Sequence, residues 1–177
     1  MNTIRPIIGT KPVIGISQCL TNSIVRYDGK SQYNKSLIDE LSQCFELLSI
    51  CPEVECGLGM PRPPVELIGT TKGIRIIGRD DKTLDVSNSL KKFSANKVLS
   101  LSHLSGCVFK TRSPSCGVES TPVYSSSGDV KYYSNGVFVD ALVTLYPALP
   151  IIEDVALNNK AKLTDFILCV NNYFVDK

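Results

Sequence analysis

Three cysteines, Cys19, Cys51 and Cys116, each follow a short apolar run of the chain. Thiolates are soft ligands for zinc and for iron–sulfur clusters. If the three runs are parallel strands of one sheet, all three sulfurs arrive at the same edge. Two of the cysteines adjoin proline-containing turns, Cys51-Pro52 and Ser113-Pro114-Ser115-Cys116. Turns of this stiffness hold ligand geometry before a metal arrives. Cysteine is also among the residues most often simply buried, and we read Cys44, Cys107 and Cys169 as core on their positions at a helix–strand junction, inside a strand and inside the last helix. Cys56 shares a loop with Cys51. That C-x4-C spacing supplies either two ligands or one ligand and a bystander. Zinc is disfavoured, because structural zinc sites use C-x2-C knuckles and histidines. The chain has no C-x2-C pair, and its one histidine, His103, lies near the start of the third apolar run. Three thiolates on a cubane cluster would leave one iron free for a substrate.

The elements that must place these residues read as alternating strands and helices. Residues 13–17, 45–50, 106–110 and 149–153 are apolar runs of strand length. Helical spacing of apolar residues appears over 31–43, from a Thr83 cap through about 100, over 137–146, and in a closing helix marked by Leu163, Phe166, Ile167, Val170 and Phe174. Asp85 falls in the first turn of the second of these, where a carboxylate suits the helix dipole. Residues 65–77 read as a hairpin turning at 70–73, and the polar stretch 121–135 as a loop. The segment 51–64, CPEVECGLGMPRPP, holds four prolines and two glycines and reads as a loop of fixed course. The pattern predicts a single α/β domain over 1–177 behind a loose leader, 1–11. Its mostly parallel sheet would carry helices on both faces, as in Rossmann or flavodoxin-like folds, with the site at the strand C-terminal ends.

The chain has 177 residues, 43% of them apolar, and a net charge of +2. A chain of this length builds its own core without disulfide staples, and the balanced charge calls for no nucleic-acid partner. No apolar stretch is long enough for a membrane span. No secretory signal is apparent, so the expected location is the cytoplasm.

The segments Cys19 with Val25-Arg26-Tyr27-Asp28-Gly29, CPEVECGLGMPRPP, and FKTRSPSCG resemble the thiouracil desulfurase (TudS-like) family. The resemblance spans about 12–157 and includes the Tyr-Pro-x-Leu-Pro-x-x-Glu segment at 146–153. It implies a [4Fe-4S] cluster on Cys19, Cys51 and Cys116. It also implies non-redox removal of sulfur from a thiolated pyrimidine, with release of hydrosulfide. The first motif departs from the family's usual Cys-Leu-Leu-Gly and reads Cys-Leu-Thr-Asn. A free base, nucleoside or nucleotide is the expected substrate. On this view Glu53 is the base that activates water, Ser105 enters by its family position, and Ser113 and Ser115 are proton relays, cluster hydrogen-bond donors or turn formers. Arg26, Arg62, Lys110 and Arg112 would offset cluster charge or hold a phosphate. Glu153, at a strand end, is either functional or structural. The alternatives are action on 4-thiouridine in transfer RNA with a partner chain, and an electron-transfer or structural metal protein in which Cys56 closes the cluster.

Overall fold

The computed structural model describes residues 10–21, 33–60 and 62–177. The leader through residue 9 and the Arg26 motif lie outside the described residues. Four parallel strands form the first sheet: β1 (Val13–Ser17), β2 (Glu46–Ile50), β5 (Gly106–Phe109) and β8 (Ile151–Glu153), in the order β2-β1-β5-β8. These are the four strands expected from the apolar runs. The order reverses direction between β1 and β5. That makes a crevice at their C-terminal ends, where open α/β sheets bind ligands.

The helices α1 (Lys35–Cys44) and α4 (Lys160–Val175) cover one face. Leu37, Leu41, Leu163, Phe166 and Val170 pack there on Ile14, Ile16 and Val108. The helices α2 (Ser87–Leu99) and α3 (Val137–Leu145) cover the other face, with Val98, Phe138 and Leu142 against Ile50, Cys107 and Phe109. Gly15 faces this side. A methyl group there would stand 3.0 Å from Cys107 Sγ and 3.1 Å from Ile50 Cδ1, so the sheet centre has no room for a larger residue.

A second sheet, of order β4-β3-β6-β7, was not legible in full. The hairpin of β3 (Val65–Thr70) and β4 (Gly73–Gly78) turns at 70–73 as expected. Residues 121–135, read as a loop, instead form the antiparallel pair β6 (Thr121–Tyr124) and β7 (Val130–Ser134). β7 is an edge strand with exposed side chains, so it carries no apolar run to betray it. Its turn is tied by Ser125 N–H to Asp129 O at 2.8 Å.

Three further expectations are corrected. The 51–64 segment contains a helical turn, Val54–Leu58, entered through Pro52; proline is suited to a first helical turn. The second helix starts at Ser87, not Thr83, because the Asp81 carboxylate holds Thr83 in a turn of its own. Cys169 is exposed: α4 buries Leu163, Phe166 and Val170, and Cys169 falls on the flank of that stripe.

Candidate active site

Cys19 sits in a 3-10 turn, Gln18–Leu20, directly after β1. Cys51 follows β2 and begins the turn into Val54–Leu58. Its carbonyl accepts from Glu55 N–H at 2.9 Å, and its own N–H donates to Glu55 Oε1 at 3.1 Å. This reciprocal pair caps the turn. Cys116 lies in the loop after β5. All three are buried, at 7, 6 and 4% exposure. The parallel strands therefore bring the three predicted sulfurs to one edge.

The Cys116 loop is seated on the N-terminus of α3. Pro114 O accepts from Val137 N–H at 3.0 Å, and Ser115 O accepts from Phe138 and Val139 N–H at 2.9 and 3.2 Å. These bonds satisfy helix donors that would otherwise lack partners, and they put the positive end of the helix dipole near the sulfur. The contact needs Gly136. A methyl group there would lie 2.3 Å from the Ser115 carbonyl carbon and 2.6 Å from Cys116 N. Inside the loop, Ser113 Oγ accepts from Cys116 N–H at 3.1 Å. Ser17, at the end of β1, accepts from Lys110 N–H at 3.0 Å and so spans the crevice.

Burial pushes the Cys116 thiol well above its ordinary range, as do Glu53 and the sulfurs of Cys51 and Cys19, while a hydrogen bond with Ser17 opposes the shift. Burial also raises Cys51, against the backbone N–H groups of Val54 and Glu53 and the charge of Arg62. For Arg62, burial lowers the pKa, but Glu53, Cys51 and Cys19 outweigh it and hold the guanidinium above its usual value. The three sulfurs, Glu53 and Arg62 thus form one electrostatic unit.

Glu53 is buried, with both carboxylate oxygens engaged. Arg62 Nε donates to Oε2, and Ser115 Oγ donates to Oε1 at 2.8 Å. Beside this group opens a cavity of about 550 Å³, reached by Cys19, Glu53 and Arg62 from the first sheet's edge. Lys110 and Arg112 both line it, although 110–112 is a turn with left-handed backbone at Arg112 rather than the extended segment expected, and Pro122 and Tyr124 of β6 form part of the opposite wall. Lys110 Nζ is also paired with Asp154 at 2.8 Å.

Ser105 is not brought to this site. It precedes β5, and its N–H donates to Val13 O at the start of β1, so it lies at the opposite edge of the sheet. Four strand residues separate it from the cysteine loops, about 13 Å at the usual rise per residue. His103 is exposed, and its ring Nδ1 lies 3.1 Å from a local backbone carbonyl, Ser100 O. Sequence reasoning missed Ser17 and the β6 wall; neither a lone serine at a strand end nor a short polar strand carries a distinctive signal.

Among the described residues no three His, Cys, Asp or Glu side chains gather tightly enough to hold one metal ion. A lone ion draws its sulfurs to about 2.3 Å from one centre. A cluster presents a separate iron to each thiolate and takes a wider set. Three buried thiols with an arginine beside two of them suit that larger anionic group.

The chain is similar in fold and sequence to a solved [4Fe-4S]-dependent thiouracil desulfidase, TudS, with a TM-score of 0.63 and 27% identity over 84% of this chain and 94% of that one. It is 30% identical over 117 residues to the uncharacterized protein YbbK of Bacillus subtilis (strain 168), covering 59% of this chain and 73% of that protein. A family model described as 2-thiouracil desulfurase matches residues 14–154, a span that takes in all three cysteines, Glu53 and the Cys116 loop, and the chain belongs to that family of enzymes.

Proposed function

We propose that Cys19, Cys51 and Cys116 hold a [4Fe-4S] cluster, and that the enzyme replaces the sulfur of a thiolated pyrimidine with oxygen from water. The observation that carries this reading is the buried Glu53–Arg62 pair set among the three cysteines at the wall of a substrate-sized cavity. The bound cluster supplies a soft Lewis-acid iron for the thiocarbonyl sulfur.

The remaining work falls to the chain. Arg62 offsets negative charge beside Cys19 and Cys51. Glu53 takes a proton from the water that attacks the ring carbon. Ser115 Oγ–H fixes the Glu53 carboxylate so that the base faces one way. The carbon–sulfur bond breaks, a carbon–oxygen bond forms, and sulfur leaves as hydrosulfide, so no electrons enter or leave. The cavity is several times larger than a pyrimidine ring, and Lys110 and Arg112 on its wall suit an anionic substituent. A base, nucleoside or nucleotide would each fit.

Cys56 is half-buried, and its Sγ donates to Glu53 O at 3.2 Å. That bond engages it as a thiol and favours the three-cysteine arrangement over a closed, electron-carrying cluster. The test is incubation of anaerobically reconstituted protein with 2-thiouracil and 4-thiouracil and with their nucleosides and nucleotides. Loss of the thiocarbonyl absorbance with an equal yield of hydrosulfide is expected. A protein with a full cluster and no turnover on any of them would overturn the proposal.

A further inference from the structure

We propose that Glu153 is a positioning residue for Cys116. This rests on the reading of Cys116 as a cluster ligand. Glu153 is the last residue of β8, the edge strand next to β5. Its carboxylate accepts three hydrogen bonds, and all come from the loop that carries Cys116. Oε2 accepts from Thr111 Oγ1 at 2.6 Å, and Oε1 accepts from Val118 N–H at 2.8 Å and from Ser120 Oγ. Thr111 lies before the cysteine and Val118 and Ser120 after it. One side chain therefore ties both flanks of the loop to the sheet.

The neighbouring carboxylate does something different. Asp154 accepts from Thr111 N–H at 2.9 Å and pairs with Lys110, both upstream of the cysteine. No ion pair to Glu153 is found among the described residues. A carboxylate held by neutral donors on one loop acts on that loop, and it stays in place because each donor is geometrically fixed. The loop needs such a tie, since it passes through left-handed backbone at Arg112 (φ 59°) and Glu119 (φ 53°), one on each side of the cysteine. Ser120 further links the flanks by accepting from Arg112 N–H at 2.8 Å, so Glu153 reaches Arg112 through Ser120.

The experiment uses the full chain in two states. In the cluster-free protein, the alkylation rate of each cysteine is read by mass spectrometry for wild type, Glu153→Ala, Glu153→Gln and Ser120→Ala. Glu153→Ala is expected to speed alkylation of Cys116 about tenfold or more by local opening, with Cys51 and the strand-buried Cys107 unchanged. Glu153→Gln keeps an acceptor for Val118 and Ser120 and restores most of the protection; Ser120→Ala gives a smaller effect at the same cysteine. In the reconstituted protein, Glu153→Ala is expected to lose iron to a chelator about 10–100-fold faster, the usual cost of removing a group that orients a ligand. An unchanged Cys116 rate, or an equal rise at Cys107, would overturn the proposal. Wild type that takes up no iron would overturn the cluster reading instead, and the alkylation pattern would then show whether Glu153 orders the loop without it.

Discussion

Glu53 and Arg62 are both buried, and each is the other's charge partner. Removing the arginine alone leaves a carboxylate uncompensated in the interior, a loss of about 3–5 kcal/mol where such pairs have been broken. Removing the charge from Glu53 alone is milder, because the sulfurs of Cys19 and Cys51 also act on the guanidinium. Glu53→Gln is therefore expected to retain its iron and to lower the turnover number about 10²–10⁴-fold, the range of a lost general base. Steady-state kinetics on protein of measured iron content checks this, and turnover within a factor of a few of wild type would assign Glu53 a purely structural part. Both residues were legible as candidates because they sit in a proline-fixed segment beside Cys51. Their pairing was not, since nothing in the spacing of 53 and 62 dictates contact. Ser105 is the converse case. It precedes β5, so chain order alone puts it at the end of the strand away from the cysteines; it entered by family position and not by its place on the strand.

At the scale of elements, the four parallel strands were readable because each is an apolar run of strand length, with β1 and β5 buried almost throughout, and the helices because they carry apolar residues at helical spacing. The β6–β7 pair was not, because its outer strand buries almost nothing. Just before the start of α2, a second carboxylate has a measurable consequence. Asp85 accepts from Ser87 N–H at 2.9 Å and pairs with Arg75 at 2.7 Å, so its carboxyl is lowered to about 2, first by the Ser87 hydroxyl and then by Arg75. A carboxylate lowered in the folded state stabilises above its unfolded pKa of about 3.9, and that stability disappears as pH falls towards 2. The group is partly exposed, so screening reduces the effect to about 1 kcal/mol. Urea unfolding of wild type and Asp85→Ala should differ by that amount at pH 6, with the gap narrowing from pH 4 downwards; a gap independent of pH would contradict the assignment. Gly136 makes a second element-scale prediction. A methyl group there must displace the Ser115–Cys116 backbone. Gly136→Ala should cost about 1–3 kcal/mol of stability as overpacking does, and should weaken iron uptake. A variant as stable as wild type would show that the α3 start and the loop can part freely.

For the whole molecule, the decisive feature is the reversal of strand order between β1 and β5. It opens the first sheet's edge at the point where Cys19 and Cys116 emerge, and the adjacent β2 delivers Cys51. The second sheet adds the facing wall of the cavity through β3 and β6. Among the described residues no helix is long and apolar enough to cross a membrane. The sulfur edge was legible in the sequence, because a strand followed by a cysteine at three places needs only parallel pairing to converge. The cavity was not, because its far wall comes from strands with short, mixed patterns. The measurement that tests the central claim most directly is the iron and sulfide content of anaerobically reconstituted wild type beside Cys19→Ser, Cys51→Ser, Cys116→Ser and Cys56→Ser. The account predicts about four irons per chain in wild type and in Cys56→Ser, as a cubane on three thiolates requires, with the content falling sharply in the other three. No iron in wild type, or a loss in Cys56→Ser as complete as in the other three, would contradict it.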